Sequence, residues 1–103
     1  MIIQRNTFRL KFGKAREALA VWKEIIEQLN KDGRFKPQTR LLTDLTGEAY
    51  ILVLEMNIKS FTEMNPLNHF WAINQPVREL YHQKFVPLCE SASQELYKIE
   101  FES

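Results

Sequence analysis

The polar and aromatic side chains best suited to chemistry are concentrated in residues 65–82. Prolines at positions 66 and 76 interrupt this segment, and a broken helix leaves backbone N–H and C=O groups free to bind a ligand. A histidine in such a place can act as a general base near neutral pH. The segment therefore predicts one wall of a small-molecule pocket, although its asparagines could equally cap helix ends and fill turns. The candidate residues are His69, Trp71, Asn74, Tyr81 and His82.

Other common chemistries lack their sequence motifs. No two of His69, His82 and Cys89 have the four-residue spacing that puts two ligands on one helical face, so we predict no metal site. The three glycines are scattered and form no phosphate-binding loop. A lone cysteine is more typical of a small apolar side chain than of a nucleophile.

Composition limits the cellular compartment and the partners. The chain has 103 residues, 45% hydrophobic and 26% charged, as in an ordinary globular protein. Fourteen basic and thirteen acidic side chains give a net charge of +1, which gives no electrostatic reason to expect nucleic acid or membrane as a partner. One cysteine cannot form an internal disulfide, and no apolar run approaches the roughly 20 residues of a membrane span. We therefore expect a single cytoplasmic domain over residues 1–103.

Side-chain periodicity indicates how the candidate residues are positioned. Phe8, Leu10 and Phe12 alternate along a first strand and should share its buried side. Asn6 lies on the same side and should face the helices, where a ligand would lie. Apolar residues then recur every three or four positions, which predicts a helix. The buried stripe of this helix would hold Ala15, Leu19, Trp22, Ile26 and Leu29.

The predicted order of elements is strand, helix, strand, strand, helix, strand. This is the ferredoxin-like βαββαβ arrangement, an α+β fold whose antiparallel sheet carries helices on one face. The third strand is apolar on both sides and should be central, whereas the half-polar second strand should be an edge. The predicted strands are 2–12, 38–45, 49–56 and 95–102; the helical regions are 14–31 and a second one that begins near position 60, with 77–86 as its longest piece.

The face of the sheet away from the helices predicts a homodimer. Arg5 and Arg9 lie on that side of the first strand, with Ile51 and Val53 on that side of the third. Arginine does not suit a dry core and isoleucine does not suit open water, but a second sheet stacked face to face accommodates both. We therefore expect a two-fold dimer with a partly buried charge network. The predicted partner of the two arginines is Glu55 or Glu100.

Three segments resemble the dimeric α/β-barrel superfamily: residues 8–14 (FRLKFGK), the helix that carries Trp22, and the closing strand. Residues 81–88 (YHQKFVPL) followed by a strand are similar to NIPSNAP domains in particular, and the antibiotic-biosynthesis-monooxygenase group is the other near relative. The resemblance implies a dimeric α/β barrel. The superfamily includes cofactor-free oxygenases, haem degraders, isomerases and many proteins without known activity.

The resemblance also implies a haem alternative. Haem-degrading members use an asparagine on the first strand, a tryptophan in the second helical region and a histidine that binds iron. Asn6, Trp71 and His82 follow in that order. Neutral imidazole ligates haem iron, and an amide can bond to bound oxygen. An extra proline at position 66 and the spacing from Trp71 to His82 depart from that pattern, so no obligatory cofactor is expected.

The function predicted from these observations is that of a NIPSNAP- or monooxygenase-like protein with a small aromatic or hydrophobic ligand between helices and sheet. As an enzyme it would be a cofactor-independent oxygenase, with Asn6 orienting the substrate, Trp71 as the wall and His82 as the base. Arg5 and Arg9 would line the barrel interior or contact an anion. The first alternative is a non-enzymatic ligand-binding or interaction dimer, and the second is a haem-degrading monooxygenase.

Overall fold

The structure, a computed structural model, describes residues 1–32, 38–60 and 74–103. Its elements follow one another in the predicted order. The strands are β1 (Ile2–Leu10), β2 (Thr39–Thr43), β3 (Ile51–Ile58) and β4 (Cys89–Lys98). The helices are α1 (Ala15–Asp32) and α2 (Gln75–Glu79), and α2 continues as a π-helical turn (Leu80–Phe85) and a 3₁₀ turn (Val86–Leu88). Within this described part, no helix has both the length and the apolarity to cross a membrane.

The four strands form one antiparallel sheet in the order β2-β3-β1-β4. The ferredoxin-like α+β prediction is confirmed, with β3 in the interior of the sheet and β2 at an edge. In the register of the sheet, Phe8 of β1 lies opposite Leu52 of β3 and Ala92 of β4. Because strand side chains alternate, this row points toward the helices and the neighbouring rows point away from them.

Aromatic packing joins the sheet to both helical regions. The Phe8 ring lies 5.9 Å from that of Trp22 in α1 and 4.8 Å from that of Phe85 in the π-helical turn. Trp22 and Phe85 are themselves 5.3 Å apart, and all three side chains are buried. Burying side chains of this size contributes about 1.5–3 kcal/mol each, so the three rings make a large share of the core energy.

Two predictions about buried faces are wrong in detail. Phe12 is 84% exposed, because β1 ends at Leu10 and the chain turns at Gly13, where φ is +77°. The Phe12 ring instead packs on Tyr50 at the surface, at 5.1 Å. In α1 the predicted Trp22 and Leu29 are fully buried, but Ala18 and Ile25 are buried more deeply than the predicted Leu19 and Ile26, since both sets fit the 3.6-residue period. The fully buried positions of α1 are Ala18, Trp22, Ile25 and Leu29, and Ala15, Leu19 and Ile26 are partly buried.

The closing strand also differs from its prediction. β4 begins at Cys89 and ends at Lys98, whereas alternation of apolar residues predicted 95–102. The early residues of β4 lack apolar alternation and are exposed, and they become a strand through their pairing with β1 from Leu10 back to Ile2. Phe101, predicted inside the strand, lies beyond it and is exposed.

The face of the sheet away from the helices carries a charge network centred on Glu55. Arg5 donates to Oε2 of Glu55 from Nε at 3.1 Å and from Nη2 at 2.9 Å, which confirms one predicted pair. Arg40 donates to the other carboxylate oxygen. Glu55 is 5% exposed. Glu100, the other predicted partner of the arginines, pairs with Lys98. Burial alone would raise the pKa of Glu55, but hydrogen bonds from the two arginines and their positive charges outweigh it and hold this pKa below its usual 4.5.

We expect Glu55→Gln to lower the free energy of unfolding at pH 7 by about 1.5 kcal/mol, because it removes a charged acceptor from two half-exposed guanidinium groups. Since the pKa of Glu55 is lowered by folding, the carboxylate's contribution is fully present above about pH 4.5 and is lost as the pH falls through the folded-state pKa. Urea unfolding of both proteins between pH 7 and pH 2 measures their free energies of unfolding. The difference between these two free energies should become smaller as the pH falls.

The matched control is Glu48→Gln, whose ion pair with Arg9 is about half exposed on both sides. Such a pair contributes roughly 0.5 kcal/mol or less. If the free energies of unfolding of wild type and Glu55→Gln differed by the same amount throughout the acid range, folding would not lower the pKa of Glu55.

Candidate functional site

A cavity of about 380 Å³ lies between the helices and the sheet. This volume falls within the range of small-molecule pockets, roughly 300–1,000 Å³. Most of the described lining side chains are apolar or aromatic, with a few amides and hydroxyls and no charged group. The lining residues are Gln4, Asn6, Phe8, Trp22, Ile26, Leu29, Thr39, Leu54, Met56, Tyr81, Ala92, Ser93 and Gln94.

Strand β1 forms the floor of the cavity. Gln4, Asn6 and Phe8 occupy alternate positions and so face the helices together, each about 6.6–6.8 Å from the next along the strand. The first two present carboxamides and the third presents a phenyl ring. The packed aromatic core therefore gives way to a polar floor within four residues of one strand.

Asn6 is held by an amide on the neighbouring strand. Nε2 of Gln94 in β4 donates to Oδ1 of Asn6 at 3.0 Å, and the two residues are direct partners in the β1–β4 register. Since Asn6 Oδ1 accepts this hydrogen bond, the Asn6 amino group and the Gln94 carbonyl point elsewhere. The pair thus leaves the Asn6 amino group able to donate to a molecule in the cavity and the Gln94 carbonyl able to accept from it.

Tyr81 reaches the cavity from the π-helical turn. Its ring lies 5.9 Å from Trp22 and 5.6 Å from Phe85, so the aromatic core orients it. In this turn Val86 donates its backbone N–H to the carbonyl of Tyr81, five residues earlier. Burial, with a smaller effect from Cys89, raises the pKa of Tyr81 above 10.0, so its hydroxyl is neutral at physiological pH.

His82, the predicted base or iron ligand, does not line the cavity. It follows Tyr81 by one residue, and consecutive helical residues point in different directions. His82 is exposed, and its ring contacts the Tyr81 ring edge-on at 5.2 Å. The described residues therefore do not bring the predicted amide of Asn6 and the imidazole of His82 to one site, and this arrangement does not fit the haem alternative.

Asn74 has a structural role in the described chain. Its Oδ1 accepts a hydrogen bond from the backbone N–H of Val77 at 3.3 Å, which caps the N-terminus of α2. Pro76 follows in the first turn, where the missing N–H costs nothing. Asn74 is absent from the lining of the cavity. Pro76 therefore starts a helix here, where the sequence interpretation had it interrupt one.

Arg5 and Arg9 lie on the other face of the sheet from the cavity. Arg5 pairs with Glu55, as described above, and its guanidinium lies 5.3 Å above the Tyr97 ring. Arg9 pairs with Glu48 at 2.5 Å and with Glu90 at 3.8 Å. Neither arginine lines the cavity that holds Asn6, and their predicted role in lining a barrel interior or contacting an anion stays a prediction.

Two of the predicted residues, His69 and Trp71, lie outside the described residues. Among the residues that the structure describes, no group of three or more His, Cys, Asp or Glu side chains is placed to hold a metal ion.

Sequence reasoning missed Gln4 and Gln94, which both line the cavity. Gln4 and Asn6 occupy the two alternating positions between the apolar Ile2 and Phe8, and this interruption of the apolar pattern was the available signal for Gln4. Gln94 gave no signal, because the predicted strand began one residue later.

The fold is shared with known structures. An uncharacterized NIPSNAP domain protein from Burkholderia xenovorans matches at a TM-score of 0.80 and 15% identity, with both chains covered in full. A NIPSNAP family protein from Agrobacterium tumefaciens matches at a TM-score of 0.79 and 14% identity, over 94% of this chain and 90% of that one. The chain shares the fold of these NIPSNAP domain proteins.

A putative antibiotic biosynthesis monooxygenase from Nitrosomonas europaea is similar to this NIPSNAP fold as well, at a TM-score of 0.73 and 11% identity, over 98% of this chain and 100% of that one. The resemblance inferred from the sequence is thus confirmed for the fold. No protein-family model matches the sequence, and no curated protein matches it significantly.

We expect Asn74→Ala to lower the free energy of unfolding by about 1 kcal/mol, because the first turn of α2 loses its side-chain acceptor. Asn74→Asp should retain wild-type stability, since a carboxylate caps a helix equally well. Urea denaturation of the three proteins at pH 7 measures both effects. Equal stability of Asn74→Ala and wild type would contradict the capping role.

Proposed function

We propose that the chain binds a small, neutral aromatic molecule in the cavity between the helices and the sheet. The observation that carries this proposal is the composition of the described lining: aromatic and aliphatic walls around a floor of amides. Apolar walls supply affinity, and a few fixed polar groups supply orientation.

The charge distribution supports a neutral ligand. No described lining residue is charged: Tyr81 is neutral at pH 7, and burial raises its pKa further above the ordinary value. A carboxylate in this cavity would lose its hydration without gaining a cation, which is strongly unfavourable. Arg5 and Arg9, which could supply that cation, have their guanidiniums paired on the opposite face.

Binding is favoured over oxygenation by the available proton acceptors. A cofactor-independent oxygenase needs a base that can deprotonate its substrate. Tyr81 is the one titratable side chain among the described lining residues, and a raised pKa leaves it protonated and unable to accept that proton. Monooxygenase activity is named for the Nitrosomonas europaea protein alone. For this chain, the geometry of the cavity supports ligand binding over oxygenation.

The first experiment compares two probes of the same shape, 2-naphthol and 2-naphthoate, by tryptophan fluorescence and calorimetry at pH 7. Trp22 lines the cavity, so an occupant should change its emission. We expect saturable binding of 2-naphthol and at least tenfold weaker binding of 2-naphthoate. Absence of saturable 2-naphthol binding, or tighter binding of the carboxylate, would overturn the proposal.

Asn6→Ala should weaken 2-naphthol binding about fivefold to tenfold, because a hydrogen bond contributes roughly 1 kcal/mol. The matched control is Asn57→Ala. Asn57 Nδ2 donates to Gln38 Oε1 at 3.0 Å, an amide pair of the same length on the other face of the sheet. Equal losses of affinity in the two variants would indicate a general loss of structure and contradict a role of Asn6 in the site.

A homodimer through the charged face of the sheet is also proposed. Ile51 and Val53 are half-buried there, while Leu42 and Tyr97 remain over 40% exposed around the Glu55 network. A second copy supplies matching apolar strips and both signs of charge, because a two-fold interface is self-complementary. Stacked sheets about 10 Å apart would cover these residues.

We expect wild-type protein at micromolar concentration to sediment as a dimer and Val53→Asp to sediment as a monomer, because a carboxylate would be buried at the centre of the interface. Val86→Asp is the matched control: Val86 is 42% exposed on the 3₁₀ turn, away from this face. Monomeric wild type, or monomers in both variants, would contradict the proposed interface.

A further inference from the structure

Gln4 is the unusual residue of the cavity. On the helix-facing side of β1 it lies between Ile2 and Asn6, and 8% of the residue is exposed. Its side chain lines the cavity, yet makes no hydrogen bond with any residue in the described ranges 1–32, 38–60 and 74–103. The Gln4 amide atoms are not among the described polar atoms that are both buried and without a partner, so the amide is accessible from the cavity and available to a ligand there.

Other carboxamides of this chain find partners. Gln94 bonds to Asn6 inside the cavity and Asn57 bonds to Gln38 on the opposite face, both at 3.0 Å. The neighbours of Gln4 in the sheet cannot do the same. Met56 lies opposite it on β3 and Leu96 on β4, and neither side chain carries a hydrogen-bond donor.

The geometry of a carboxamide determines which group would satisfy it. Gln4 offers an N–H donor and a carbonyl acceptor side by side in one plane. A phenol can satisfy one of these, and a carboxylate satisfies the donor alone while bringing a charge. A cyclic amide satisfies both, because its C=O accepts from the glutamine amino group while its N–H donates to the glutamine carbonyl.

We propose that Gln4 is the specificity-determining residue of the cavity and selects flat ligands that carry a lactam-type edge, with N–H and C=O adjacent. This inference rests on the proposed function, and it names the ligand class of the same cavity. The lactam edge lies on the floor against Gln4, and the ring of the ligand extends toward Phe8 and Trp22.

The test uses 2-quinolone and N-methyl-2-quinolone, which differ in the one N–H donor. Calorimetry should give wild-type protein at least a tenfold preference for 2-quinolone. In Gln4→Met, whose side chain has similar length and no amide, this preference should fall to about twofold or less. Binding of naphthalene, which has no hydrogen-bonding group and so cannot depend on the Gln4 amide, should stay within about threefold of wild type, which shows that the cavity is intact.

Thermal unfolding without ligand provides an independent readout. Gln4→Met should leave Tm unchanged or slightly higher, because the Gln4 amide makes no hydrogen bond with a described residue and faces the cavity. Gln38→Met, on the opposite face, breaks a formed amide pair and should leave Tm unchanged or lower, with the 2-quinolone preference intact. A purely structural role of Gln4 would instead lower Tm when the amide is removed.

The outcomes separate the two proposals. If 2-naphthol binds but wild type shows no preference for 2-quinolone, or if Gln4→Met retains that preference, the lactam inference is overturned and the binding function stands. If neither 2-naphthol nor 2-quinolone binds wild type, the proposed function fails and the inference fails with it. A lower Tm in Gln4→Met contradicts the unpartnered amide on which the inference is built.

Discussion

The contact among Phe8, Trp22 and Phe85 determines how the two layers of this protein meet. One ring comes from the sheet, one from α1 and one from the π-helical turn, with centroids 4.8–5.9 Å apart. Close packing at this point fixes the separation of the layers. Toward the start of β1 the floor changes from a ring to the carboxamides of Asn6 and Gln4, and there the layers enclose a cavity. The position of the cavity thus follows from where the aromatic packing stops.

Strand alternation assigns different polar chemistry to the two faces of the sheet. Toward the helices β1 presents the neutral amides of Gln4 and Asn6, and away from them it presents Arg5 and Arg9. Ionised groups need water or a counter-ion, and the outer face supplies both, since the Arg5 guanidinium is partly exposed and bonded to Glu55. Amides can be enclosed at a smaller energetic cost. A shift of β1 by one residue in the sheet register would place the arginines on the helix-facing side and the amides on the outer side. Both the floor of the cavity and the charge network around Glu55 would be lost.

The sequence was sufficient for the topology and for part of the site. The alternation around Phe8 and the helical period around Trp22 predicted which faces meet, because both patterns report burial directly. The start of β4 could not be predicted, since its polar residues become a strand through pairing with β1. For Asn6, its side of the strand was enough to predict that it faces the helices. Tyr81 faces the cavity and His82, one residue later in the helix, faces solvent. Periodicity in the sequence does not locate a helical face to within one residue.

The amides of β1 are the best evidence that the cavity has a purpose beyond folding. On the helix-facing side of this strand the order is Ile2, Gln4, Asn6, Phe8, Leu10. Polar residues at the end of a strand would need no explanation, because strand ends meet water, but these two are flanked by buried apolar residues on both sides. Apolar residues at both positions would close the core and stabilise the chain. Local rules of folding are broken where a site needs polar groups, and here the break coincides with the floor of the cavity.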